Sequence, residues 1–368
     1  MALRRTLTLM LCAITGASLV ATAVPSNAAP GFTTSPLRTS DSIQSTSGFI
    51  VHLKDRSASA QRVRTAHTAS AMQATSTSLR GSVDRAAKVR GAHVTESLAR
   101  ANNSMSVQVS QGLNATAAKT FASEIERNPE VESVEPVLHM TINENTGVHP
   151  AAVSSVPNDQ YWNRQWGLNS KNGIDAPGAW TTNTGSGVTV AVIDSGITKH
   201  PDLDGKVLPG YDFISDRYTA GDGNGRDLDP SDEGDWTRAG ACTRRDVPSS
   251  WHGTHVAGII GAATNNARGV AGAAPGAKIL PVRALGHCGG TDVDIADGIT
   301  WASGGEVPGV PTNHNPAKVI NLSLGGPSNY CPITYQRAID AAVSRGSTVV
   351  VAAGNEAMDV RKSTPGNC

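Results

Sequence analysis

The sequence predicts an α/β protein built on a parallel sheet with helices on both faces, preceded by a small α+β domain. Three observations lead there. Residues 188–193, 277–282, 318–322 and 348–352 are near-continuous apolar runs, the pattern of strands buried on both faces of a parallel sheet. The segments 252–263, 293–302 and 333–344 fall between these runs and have helical length. Third, the texture before residue 141 is different: more polar, rich in Ala and Ser, with only short apolar stretches.

Taken in order, the chain opens with Arg4-Arg5, an apolar stretch from Leu7 to Val20, and the small-residue sites Ala21-Thr22-Ala23 and Asn27-Ala28-Ala29. Positive, apolar, small is the order of an export signal, so 1–29 reads as a signal peptide and the protein as secreted. Cys12 lies inside the apolar stretch and is expected to leave with it. Residues 30–48, with Pro30 and Pro36 among Ser and Thr, read as a linker. Phe49 to Leu53 is strand-like, 56–104 is polar and helical in part, and Phe121 and Ile125 stand at helical spacing within 117–125. Val131, Val134 and Val137 follow in a strand-like segment. These make the small domain, 49–140. Residues 141–156 carry Pro150 and no apolar periodicity, a second linker suited to cleavage. The α/β domain is 157–368.

Composition narrows the function. Lys and Arg number 31 against 31 Asp and Glu, which weighs against a broadly cationic nucleic-acid surface. No apolar run after the signal approaches the roughly 18 residues of a membrane span, so no membrane partner is expected and the mature form is expected as a monomer. Cys242, Cys288, Cys331 and Cys368 remain, an even number in an exported chain, and imply two disulfides. Four cysteines allow three pairings. Cys242–Cys288 with Cys331–Cys368 is favoured because each closes a loop within one neighbourhood. No Gly-x-Gly-x-x-Gly opens a helix after a strand, which removes a dinucleotide enzyme.

In parallel sheets, sites form beyond the carboxyl ends of strands. Asp194 ends the first strong strand, where a lone buried carboxylate needs a partner. His252 opens a helix of small residues, Gly253-Thr254-His255-Val256-Ala257-Gly258. A metal pair of His252 and His255 fits poorly, being i, i+3 with no zincin Glu. Ser323, Leu324, Gly325 and Gly326 follow another strand, and their glycines would let an extended peptide pair with backbone. Asn355 ends the last strand, where its amide could donate to a developing negative charge. Alone, each reads equally as a cap or turn residue.

Together and in this order, the segments Ala191-Val192-Ile193-Asp194-Ser195-Gly196, His252 to Gly258, Asn321-Leu322-Ser323-Leu324-Gly325-Gly326 and Ala352-Ala353-Gly354-Asn355 resemble the subtilisin-like serine proteases, in their bacterial extracellular branch. The resemblance covers about 157–368, and 49–140 looks like the family's inhibitory propeptide, an intramolecular partner with maturation somewhere in 141–157. It implies polypeptide substrates, Asp194 orienting His252, His252 as general base for a serine, and Asn355 as oxyanion donor. It also implies structural calcium: carboxylates from Asp159 and Asp202, the Asn266 side chain, and the carbonyls of Ala263, Arg268 and Val270.

A second calcium candidate comes from the residues themselves. Ten acidic residues stand against three basic ones between Pro201 and Trp236, and Asp222, Asp227 and Asp229 offer hard oxygens among glycines. One family feature is missing. The serine should follow Asn355 in a Gly-Thr-Ser turn, and no Gly-Thr-Ser occurs in the sequence; Ser363 stands before Thr364-Pro365 instead. The nucleophile is therefore expected beyond residue 368, with 157–368 an incomplete domain exposing apolar surface. Two rivals follow, a peptide-binding protein that docks without cutting and a protease inhibitor made of the 49–140 domain.

Overall fold

The computed structural model describes residues 46–65, 71–142 and 156–368. The expected signal peptide, most of the expected first linker and residues 143–155 of the expected maturation linker lie outside the described residues. Strands, and helices of seven residues or more, are numbered in chain order.

The amino-terminal part holds β1 (Thr46–Leu53), α1 (Ala58–Arg64), α2 (Thr77–Lys88), β2 (Val94–Arg100), β3 (Ser104–Leu113), α3 (Ala115–Glu126) and β4 (Val131–Pro136). The strands form an antiparallel sheet in the order β2-β3-β1-β4. Strand periodicity divides β1 between two environments. Phe49, Val51 and Leu53 enter a core with Leu79, Val83, Val107 and Phe121, where the Phe49 and Phe121 rings lie 4.4 Å apart. His52 faces the other way and meets Thr334. Local caps start the helices: Ser76 accepts from Leu79 N and Asn114 from Ala117 N, each at 3.0 Å. As expected, 56–104 is helical in part, in α1 and α2, while 94–100 is a strand that pairs with β3. β1 begins at Thr46, inside the expected linker.

The carboxyl-terminal part is a parallel five-stranded sheet in the order β12-β10-β6-β8-β7. Its strands are β6 (Thr189–Asp194), β7 (Tyr211–Asp212), β8 (Lys278–Arg283), β10 (Val319–Leu322) and β12 (Thr348–Val351). Its longer helices are α4 (His252–Gly261), α5 (Asp292–Ala302) and α6 (Ile333–Ser344). Alternate residues of one strand serve opposite layers. Ala191 and Ile193 pack with Ile295, Ile299 and Ala338 of α5 and α6, whereas Val192 packs with Val256 and Ala257 of α4. Helices thus cover both faces, as the sequence predicts. At the sheet edge, Val350 of β12 is 49% exposed.

A third, small sheet has the order β13-β11-β5-β9. It joins β5 (His139–Ile142) to β9 (Gly290–Thr291), β11 (Leu324–Pro327) and β13 (Ser363–Thr364). The expected linker 141–156 thus starts inside a strand. Among the described residues no helix is long and apolar enough to cross a membrane.

Candidate active site

Two elements bring the first pair together. Strand β6 carries Asp194 at its carboxyl end, fully buried, and α4 begins on His252. His252 Nδ1 lies 2.8 Å and 2.9 Å from the two Asp194 carboxylate oxygens. Asp194 Oδ1 also accepts the Ser195 N–H at 2.7 Å, so the acid is held by backbone as well as by the ring. The close approach of helix and strand depends on Gly253: a Cβ there would sit 2.2 Å from the Gly196 carbonyl oxygen. Ser195 ties the same corner, accepting from Gly253 N at 3.0 Å and donating to Asp232 Oδ2 at 2.6 Å. Burial pushes the Asp232 carboxyl up, against the stabilising hydrogen bonds from Ser195 and Gly234. An Nδ1–H donated to Asp194 would leave the basic lone pair of the neutral ring on Nε2 of His252.

Register places the strand expected to bind peptide beside this pair. Val192 of β6 pairs with Asn321 of β10, so Ser323 stands at the same end of the sheet as Asp194. Asn321 Nδ2 donates to Ser323 Oγ at 2.9 Å. Leu324, Gly325 and Gly326 lie in β11; Gly326 pairs with Thr364 of β13, and the first two pair with an extended segment. That segment is the chain's own β5: Leu324 pairs with Ile142 and Gly325 with Thr141. On its other side β5 pairs with β9, His139 with Thr291 and Met140 with Gly290. Leu138 extends the contact, donating to Asp292 Oδ1 at 3.1 Å while its carbonyl accepts from Asp292 N at 2.9 Å. Met140 is buried. Gly289, at φ +95°, permits this fit, since a Cβ would fall 2.1 Å from the Met140 carbonyl oxygen.

This second wall, Gly289 to Asp292, escapes the sequence reading. The Gly289-Gly290 doublet ahead of a helix is its visible signal. Asp292 is fully buried, and burial, reinforced by the charge of Glu135, pushes its carboxyl well up.

Asn355 lies past the end of β12 and is exposed, its N–H donating to Glu356 at 2.8 Å. Ser363 is buried in β13 and pairs with Pro327 of β11. Both disulfides join as the favoured pairing has it, Cys242–Cys288 and Cys331–Cys368. Each staples a cleft wall: Cys288 precedes Gly289, and the second bridge encloses β13.

In the acidic loop the carboxylates are engaged by neighbouring side chains and backbone. Among the described residues no group of three or more His, Cys, Asp or Glu side chains is arranged to hold a metal ion. Asp222 instead meets the buried Arg283 at 3.2 Å. Asp227 accepts from Asn224 and from Asp229 N, and Asp229 from Ser231; these are turn-closing bonds. The other set does come together. Asp159 accepts from Asn265 N and Asn266 N at 2.9 and 3.3 Å. Asp202 accepts from Asn266 Nδ2 at 2.7 Å and from Val270 N at 2.9 Å, and its carbonyl accepts from Ala263 N at 2.8 Å. Asn266 Oδ1 accepts from Arg268 N at 2.9 Å. The two buried carboxylates and one amide are hard oxygen donors, and each carboxylate retains lone pairs beyond these bonds.

Residues 185–368 match the model of the subtilase family. The chain is 52% identical over 268 residues to an extracellular protease of Xanthomonas campestris pv. campestris, covering 71% of this chain and 44% of that protein. It is 47% identical over 251 residues to an extracellular basic protease of Dichelobacter nodosus, covering 66% and 40%. The chain therefore spans less than half the length of these two relatives. A protease structure from Pseudoalteromonas arctica superposes with a TM-score of 0.57 at 53% identity, covering 58% of this chain and 63% of that one. Fervidolysin from Fervidobacterium pennivorans, at 24% identity and a TM-score of 0.55, covers 86% of this chain and 40% of its own, and shares the fold.

Proposed function

The chain belongs to the subtilase family, and we propose on that premise that its protein is an extracellular serine endopeptidase, made as a precursor whose residues 46–142 fill its own substrate cleft. One observation carries the reading: the buried Asp194 is bonded through both oxygens to His252 Nδ1, at the sheet end where β5 lies in the peptide-binding groove. His252 would take the proton of a serine hydroxyl as it attacks a peptide carbonyl, and Asp194 would stabilise the imidazolium. Asn355 would donate to the oxyanion. Gly290 and Thr291 on one side and Leu324 and Gly325 on the other would pair with the substrate main chain, as they do with β5, and Gly326 would extend the second wall. Ser363 is committed to β13 through its pairing with Pro327, which leaves it no place as the attacking serine of this reading.

Occupation of the groove by β5 supports an inhibitory role for the amino-terminal part, relieved by cleavage within 141–157. Calcium would be held by Asp159, Asp202 and Asn266 with the carbonyls of Ala263, Arg268 and Val270, stiffening the loop that follows α4. The test is hydrolysis of a denatured protein substrate by the secreted gene product after processing. Activity that disappears in His252→Ala supports the proposal. A folded, processed protein that binds the peptide and never cuts it supports the peptide-docking rival.

A further inference from the structure

The tip of the β2–β3 hairpin enters the face of α5, away from the β5 groove. Asn102 and Asn103, at φ 56° and 58°, make the turn, which leaves Arg100 and Ala101 as the leading residues. Ala101 packs into the core of the carboxyl-terminal part, and its N–H donates to Asp297 Oδ1 at 2.9 Å. Arg100 Nη1 reaches Asp294 Oδ1 at 2.9 Å, Ser215 Oγ at 3.3 Å and Asp297 Oδ2 at 3.4 Å, while its Nε donates to Ser106 Oγ at 2.8 Å. Opposite it, Arg226 Nη2 bonds the same two acids at 2.7 and 2.8 Å. Arg100, Asp294 and Asp297 are all nine-tenths or more buried.

Two guanidinium groups and two carboxylates thus balance in a largely buried space that opens to water only beside Arg226. Without Arg100 the face holds two acids against one arginine. An unbalanced charge of that kind is tolerated in solvent and is costly when buried. The geometry also selects the side chain. One planar fork bonds Ser106 through Nε while its Nη1 meets three oxygens, and the single ammonium of lysine cannot do both.

We propose that Asp294, Asp297, Arg226 and Ser215 form an arginine-recognition site, separate from the peptide groove, by which the carboxyl-terminal part selects its own amino-terminal domain through Arg100 and Ala101. The site deepens the precursor reading and rests on it.

Hydrogen exchange of the full chain, read by mass spectrometry over the hairpin tip, β5 and the first turns of α5, tests the site. Arg100→Ala raises exchange in all three about a hundredfold or more, while Phe49, Val107 and Phe121 keep their protection. Arg100→Lys gives most of the same loss, and so does Asp297→Asn. Unchanged exchange in Arg100→Ala, or a lysine variant equal to wild type, overturns the proposal. Should Arg100→Ala unfold the amino-terminal core itself, Asp297→Asn decides, because it leaves that domain's residues untouched. Exchange reports docking, and substrate hydrolysis reports inhibition. A chain that docks through Arg100 yet stays inert after processing would therefore count against the precursor reading and leave this site standing.

Discussion

Asp194 holds His252 through both of its oxygens, so its replacement separates orientation from folding. Asp194→Asn keeps the size of the side chain and removes the charge and one acceptor. Turnover by the processed enzyme should fall about 10⁴-fold, the loss established for this substitution in a serine-protease type case, with little change in melting temperature. Asp292 gives a pH prediction. Burial holds its carboxyl well above the ordinary value of 3.8, so the folded state keeps a proton that the unfolded chain releases near pH 4. The stability it contributes is complete below that pH and is lost as pH rises toward the folded value. Melting temperatures of wild type and Asp292→Asn should therefore fall away from each other above about pH 4, the wild type dropping more steeply. Parallel curves would contradict the assignment. The Asp194–His252 pair is legible in the sequence because each residue stands at a strand or helix boundary in a set order. Asp292 and Glu135 are not, since burial of a charge by a segment far along the chain leaves no local pattern.

Helix α6 shows how such distant contacts act on an element. It starts after Pro332, which offers no side-chain cap. The Ile333 and Thr334 N–H groups instead reach the Glu135 carboxylate of β4 at 3.1 and 3.0 Å. Glu135 also meets His52 at 2.9 Å, both being almost wholly buried. Burial raises the Glu135 carboxyl, but the bonds from His52 and Thr334 outweigh it and leave the group below its ordinary value. Glu135→Ala orphans two helix N–H groups and leaves the buried His52 ring only its longer contacts with Thr334 and Arg337. It should cost about 2–3 kcal/mol by denaturant unfolding, whereas replacing an exposed glutamate such as Glu96 should cost almost nothing. The strands of the parallel sheet were readable from their unbroken apolar runs, and the sequence places α6 to the residue. β2 and β3 were harder. Met105, Val107 and Val109 do alternate, but Ser104, Ser106 and Gln108 between them make the segment read as polar, and its partner β1 lies far along the chain. β5 is four residues long and acquires its form only by pairing with β9 and β11.

The molecule as a whole joins an Asp–His pair, a groove lined by glycine backbone and a segment of the same chain lying in that groove. Two disulfides staple the groove's walls, and the calcium assigned to Asp159, Asp202 and Asn266 would brace the loop behind α4. Removing the ion with a chelator should lower the melting temperature, with recovery on adding excess calcium. No shift in either direction would remove calcium from the account. The most direct measurement is labelling of the secreted gene product by a fluorophosphonate probe, before and after cleavage within 141–157, with the modified residue located by mass spectrometry. The account predicts a serine labelled only after cleavage, and no label in His252→Ala. A folded, processed protein that takes no label, or one that labels equally before cleavage, would contradict it.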